Sequence, residues 1–197
     1  MQDPLNELTL ILMRGLPASG KSYRAKELSG GDDTVIFSAD HYFGLTKEEY
    51  VASWTKDKLH HAHSWCQRRV RESMQRQRPL VIVDNTNTRI AEMMPYFDMA
   101  VQYKYKVQIE EPTSPWWIND IAPYLLDKQL YKAELEAAAQ LLFEKNQETH
   151  CVPLESIRKM LARYQTMVLF SDLVRGYCRR NPDETFDYLG HAKLAGN

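Results

Sequence analysis

Residues Gly15-Leu16-Pro17-Ala18-Ser19-Gly20-Lys21-Ser22 follow the pattern G-x-x-x-x-G-K-[ST], and each fixed position has a chemical reason. The glycines let the backbone turn tightly enough for its N–H groups to face phosphate oxygens. Lys21 carries an ammonium toward β- and γ-phosphates, and the Ser22 hydroxyl is suited to ligate Mg²⁺. At average residue frequencies the pattern arises by chance in under about 1% of chains of this length, so a glycine-rich structural turn is the weaker reading. The chemistry expected is capture of the triphosphate of ATP or GTP.

Two aspartates stand where strands are expected to end. Asp40, within Phe37-Ser38-Ala39-Asp40-His41-Tyr42-Phe43, has the character of a base that takes a proton from a hydroxyl attacking a γ-phosphate. On spacing alone it serves equally well as a helix N-cap. Asp84 follows the apolar run Leu80-Val81-Ile82-Val83, the arrangement in which a strand-end carboxylate supports Mg²⁺ directly or through water. Asn85, Thr86 and Asn87 continue that loop with short hydrogen-bonding side chains, fit to contact an acceptor or to cap the next helix, capping being the natural role for Asn87.

Phosphoryl transfer also needs water excluded and developing charge neutralised, usually by a mobile basic segment. Residues 147–153 read as a corner between two helices, flanked by Lys145, Arg158, Lys159 and Arg163. Lys145 is expected to reach the phosphates when this lid closes, and Arg158 to face the nucleotide base. A second basic tract, 56–78, holds seven Lys and Arg against Asp57 and Glu72, with Trp65, His60, His61 and His63 interspersed. It reads either as a groove for a phosphate backbone or as a solvated face.

The elements that must position these groups alternate. Strands are expected at 8–14, 34–38, 80–83 and 105–109, and helices at 22–28, 56–76, 90–103, 124–146 and 154–164, from runs of apolar residues and from three-to-four-residue periodicity. The continuous apolar run at 80–83 suits a parallel sheet covered on both faces. The fold class is therefore α/β: a P-loop NTPase-type parallel sheet with helices on both faces and a helical lid, occupying 1–170. Residues 171–197, with little core-forming sequence, read as a C-terminal helix or linker.

Composition bounds the partners. The chain has 197 residues, 44% hydrophobic, with a net charge of −1, so any nucleic-acid surface must be local. Three widely spaced cysteines, Cys66, Cys151 and Cys178, suit reduced thiols better than disulfides or zinc. No apolar stretch approaches a membrane span and the N-terminus lacks a signal-peptide pattern, so the expected location is cytoplasmic or nuclear, with no membrane partner.

Taken together, Ile11-Leu12-Met13-Arg14 with the phosphate loop, Phe37-Ser38-Ala39-Asp40-His41-Tyr42, Val83-Asp84-Asn85-Thr86-Asn87, the stretch 95–107 and Glu110-Glu111-Pro112 resemble the polynucleotide 5′-kinase-type P-loop domains. Among these are the kinase domains of tRNA-healing enzymes and the N-terminal domain of 2′,3′-cyclic nucleotide 3′-phosphodiesterases. The resemblance implies transfer of the γ-phosphate of ATP or GTP to a 5′-hydroxyl of RNA or DNA, with Asp40 in the position of the general base. Other outcomes share the phosphate side: a nucleotide-binding module or weak NTPase without transfer, or a small-molecule kinase. Phe43 replaces an acceptor-gripping arginine, Asn85 replaces a second aspartate of some members, and Lys145 stands where an arginine is usual. About 120–140 looks like an insertion. Such domains often sit beside a covalently linked phosphodiesterase or ligase domain, but no His-x-Thr or His-x-Ser pair occurs here, so phosphodiesterase activity is not expected of this chain.

Overall fold

The computed structural model describes residues 7–186 and 192–194. Four parallel strands, β1 (Thr9–Met13), β2 (Ile36–Phe37), β3 (Leu80–Val83) and β4 (Lys106–Glu110), lie in the order β2-β3-β1-β4. Eight α-helices accompany them among the described residues: α1 (Lys21–Leu28), α2 (Lys47–Ser53), α3 (Leu59–Gln75), α4 (Ile90–Tyr103), α5 (Pro115–Asp120), α6 (Lys132–Asn146), α7 (Leu154–Arg163) and α8 (Phe170–Arg180). A short antiparallel pair, β5 (Glu184–Phe186) and β6 (Ala192–Leu194), follows. The tail of the expected linker, at 187–191 and 195–197, lies outside the described residues, as do residues 1–6.

Strand periodicity decides what each sheet face buries. Leu10, Leu12, Val81 and Val83 face one way, into a core with Val70 of α3, Phe97 of α4 and Leu173 of α8. Ile11, Met13 and Ile82 face the other way, against Ala25 of α1. Both faces are covered, as expected of an all-parallel sheet. A third apolar cluster joins Leu16 of the phosphate loop to Trp117 of α5, Leu142 of α6, and Ile157 and Leu161 of α7. These helices form the lid side of the molecule, packed on the phosphate loop. No helix among the described residues is long and apolar enough to cross a membrane.

Three expectations change. The helix read at 124–146 is broken: Asp127 Oδ1 accepts from the backbone N–H groups of Gln129 and Leu130, and this local alternative to helical bonding delays α6 until Lys132. Helix α2 is an addition, started by a capping box in which Thr46 Oγ1 accepts from Glu49 N and the Glu49 carboxylate accepts from Thr46 N. Residues after 170 are not poor in core: Leu173 and Tyr177 of α8 are buried against α4.

Candidate phosphoryl-transfer site

The phosphate loop connects β1 to α1 at the carboxyl edge of the sheet, beside the point where the connections leaving β1 and β3 pass toward opposite edges. Gly15 has φ +154°, and a Cβ there would lie 2.7 Å from Ser19 Oγ and 2.8 Å from Pro112 Cγ, so a side chain is excluded. Gly20 has φ +90°, with Ser114 Cβ 2.9 Å from any added Cβ. The loop is pinned by its carbonyls: Ser114 Oγ donates to Ser19 O at 2.7 Å and Trp116 Nε1 donates to Ala18 O at 3.0 Å. Gly15 N donates to Thr86 O at 3.0 Å. No side chain caps α1, so the positive end of its dipole is left for an anion.

Lys21 and Asp84 meet at the floor. Lys21 Nζ lies 2.5 Å from Asp84 Oδ1, with both side chains buried, and the Ser22 hydroxyl also hydrogen-bonds the carboxylate. Burial alone pushes the Asp84 carboxyl upward, but the Lys21 ammonium and the Ser22 hydroxyl outweigh it and hold Asp84 below the usual carboxylate range. A hydroxyl and a carboxylate side by side are hard oxygen donors that fit Mg²⁺, which takes few protein ligands and completes its shell with phosphate oxygens and water. No group of three or more His, Cys, Asp or Glu among the described residues is placed to hold a metal by itself.

Asp40 is not an N-cap. Ser38 caps the short 3₁₀ turn Ala39–Tyr42, its Oγ accepting from Asp40 N at 3.2 Å, and the Asp40 carboxylate accepts from the Tyr50 hydroxyl of α2. Burial and this carboxylate together push the Tyr50 phenol well above its ordinary range, so it stays a donor. Asn85 supports the turn, accepting from Ala39 N at 2.9 Å while its amide donates to Tyr96 Oη at 3.1 Å. That amide is spent inside the protein. Asn87 is likewise occupied, with Nδ2 donating to Met13 O at 2.7 Å. Of the three expected acceptor contacts, Thr86 alone keeps an uncommitted side chain on the cleft.

These groups line one cleft of about 720 Å³. Gly20, Lys21, Ser22, Asp40 and Thr86 line it from the sheet side, and Lys145, His150 and Arg163 from the lid. The expected corner at 147–153 forms the roof and is tied to α2: Lys47 Nζ donates to Gln147 O at 2.7 Å, and the His150 ring packs on Tyr50 with centroids 4.5 Å apart. Lys145 Nζ sits 4.2 Å from the Trp116 ring centroid, a cation–π contact at the cleft wall. Arg158 is elsewhere. Its Nε lies 3.0 Å from Glu136 Oε2 across α6 and α7, and it does not line the cleft. Arg163 lines the cleft in its stead, with Nε donating to Thr88 Oγ1 at 3.0 Å.

One organiser escapes the motif. Arg14, buried to 1% exposure, donates to Asn87 O, Glu111 Oε1 and Gln165 O, and its guanidinium stacks 4.7 Å from the Tyr164 ring. It joins the root of the phosphate loop to the end of lid helix α7. A charged residue ending an otherwise apolar strand was its only sequence signal. The cysteines remain thiols, and burial pushes Cys66 up to about 11.

A profile of the AAA domain family matches residues 10–118, from β1 into α5. Human NEDD4-binding protein 2 is 33% identical over 163 residues, 82% of this chain but 8% of that protein. The 2′,3′-cyclic-nucleotide 3′-phosphodiesterases of Pongo abelii and Rattus norvegicus are 33% and 28% identical, over 55% and 68% of this chain. The chain spans 25% and 30% of their lengths. A chain in the solved Pnkp1/Rnl/Hen1 complex aligns with 58% of this chain at 18% identity and a TM-score of 0.44.

Proposed function

Because the chain belongs to the AAA domain family, with a P-loop that binds nucleotide, we propose that it is an Mg²⁺-dependent polynucleotide 5′-hydroxyl kinase using ATP or GTP. One observation carries this reading. Asp40 is relieved of capping by Ser38 and shares a cleft with Lys21 and Ser22, with Asp84 buried against Lys21 at its floor, so a carboxylate base and a triphosphate cradle open on the same space.

In the proposed reaction the acceptor's 5′-oxygen attacks the γ-phosphorus and a new O–P bond forms. The bond from that phosphorus to the β–γ bridging oxygen breaks, and the nucleoside diphosphate leaves. Asp40 takes the proton of the attacking hydroxyl, held in place by the Tyr50 hydroxyl. Lys21 and the α1 N-terminus bind the phosphates, and Lys145 and Arg163 bring positive charge from the lid. Ser22 and Asp84 would hold Mg²⁺, which supplies charge neutralisation on the β- and γ-oxygens.

A second reading is nucleotide binding or slow hydrolysis without transfer. It is favoured by the lid cations: Lys145 is stacked on Trp116, and Arg158 is committed to Glu136. A small-molecule kinase is a third reading and differs at the acceptor side alone. Incubation with γ-labelled ATP, Mg²⁺ and either a 5′-OH oligonucleotide or a nucleoside separates them. Label on the oligonucleotide supports the kinase. Label released only as phosphate supports the second reading, and label only on the nucleoside the third.

A further inference from the structure

Resting on the kinase reading, we propose that the wall formed by α2 and α3 is the seat of a single-stranded polynucleotide. Trp54 stacks an unpaired base, and Arg68 and Arg71 bind the backbone beyond it.

Packing sorts the cleft into two sides. The Asp40 turn packs on α3, which contacts β2 and β3, whereas α5 to α7 form a separate apolar cluster with Leu16 of the phosphate loop. Between them lies the triphosphate cradle. A donor anchored on the loop with the lid above it leaves the β2–β3 side, where Asp40 waits, for the acceptor. That side is apolar and aromatic: Phe43, Tyr50, Val51, Trp54, Leu59 and His63 all line it.

Trp54 differs from the other large side chains there. Phe43 and Tyr50 are buried and packed edge to face at 5.4 Å. Trp54, just past the last turn of α2, is 36% exposed on the cleft, and its ring and indole N–H have no partner among the described residues. A base caught between paired neighbours cannot lie flat on such a ring; an unpaired base can.

Helix α3 then leads away from the cleft. His63 lines the opening, and the positions at four-residue steps from it are Gln67 and Arg71, on the same helix face. Arg68 is three residues before Arg71 and adjoins it on the surface. Both arginines are exposed and have no acidic partner among the described residues. Arg69, Arg76 and Arg78 of the same tract also have no salt bridge among the described residues, whereas Arg24, Arg89, Arg158, Arg163, Arg175 and Arg180 each pair with a carboxylate. Unneutralised guanidiniums along a helix that opens at the cleft, together with an exposed indole on the cleft wall, complement a chain of phosphates with free bases.

The test is equilibrium binding of a fluorescent 5′-OH oligonucleotide, single-stranded or as a blunt duplex, with label transfer followed separately. Expected are tighter binding of the single strand, a loss of about tenfold or more in Trp54→Ala, and recovery in Trp54→Phe. Arg68→Gln with Arg71→Gln should weaken binding and lower the slope of log affinity against log salt by about 1.4. MgATP affinity, measured on every variant, reports that the fold persists. Single-strand binding with these dependences but no label transfer supports the seat and sinks the kinase reading. Transfer to the oligonucleotide with binding indifferent to Trp54 and both arginines, tighter binding of the duplex, or a Trp54→Ala defect confined to ATP overturns the seat.

Discussion

Lys21 Nζ and Asp84 Oδ1 are 2.5 Å apart in a buried pair, so the cation proposed for the triphosphate and the carboxylate proposed for the metal neutralise one another in the ligand-free protein. Neither charge is left alone in a poorly solvated floor, and both are held in place for exchange. In the proposed reaction, magnesium and phosphate entering together would replace each partner with another of the same sign.

Removing one member should therefore destabilise the ligand-free protein. In magnesium-free buffer Asp84→Asn leaves the Lys21 ammonium, in a residue 8% exposed, without a countercharge, a cost of about 3 kcal/mol. The folded-state pKa of Asp84 is depressed, so the pair's contribution is complete above the unfolded value of about 3.9 and fades as pH falls through the lower folded value. Wild type should lose stability faster than Asp84→Asn below about pH 4. Parallel curves in urea titrations across that range would contradict the pair.

Asp40→Asn keeps the shape of the 3₁₀ turn, since Ser38 does the capping, but cannot accept a proton. Turnover with a 5′-OH oligonucleotide should fall by about 10²-fold or more, with MgATP affinity unchanged. Unchanged turnover would remove Asp40 from the chemistry.

Asn85 was read from sequence as an acceptor contact, and its amide is committed to Tyr96 and to Ala39 N. Asn85→Asp replaces a buried donor by a carboxylate with too few donors, and thermal unfolding should show a loss of about 2 kcal/mol or more. Because the same residue braces the Asp40 turn, kcat should drop before the acceptor KM rises. A KM effect alone would restore the acceptor role.

Lys145 lies on the cleft and Arg158 does not. Lys145→Ala should lower kcat by about ten- to a hundredfold at constant MgATP affinity, whereas Arg158→Ala should leave turnover within about twofold of wild type, the loss of an exposed ion pair with Glu136 being small. The reverse ranking would assign the lid charge to Arg158.

Legibility followed locality. β3 and α4 were readable to the residue, because a continuous apolar run and a 3.6-residue stripe are written into adjacent positions. The phosphate loop was readable because its constraint is backbone geometry at Gly15 and Gly20. Helix α2 had its signal in Thr46-Lys47-Glu48-Glu49, a capping box that the faint apolar content of the helix obscured. What sequence hides is which distant partner claims a polar side chain. Arg14 reaches Gln165, 151 positions away, and Arg158 finds Glu136 on a neighbouring helix. Asn87 turns inward to Met13. Each is a polar residue whose surroundings are set by packing.

Titration calorimetry of the folded chain with MgATP or MgGTP, alongside Lys21→Met, reaches the central claim most directly. Saturable uptake of about one nucleotide per chain, weakened at least tenfold by Lys21→Met, is the result predicted. No heat of binding up to millimolar nucleotide, from a protein shown to be folded, would contradict it.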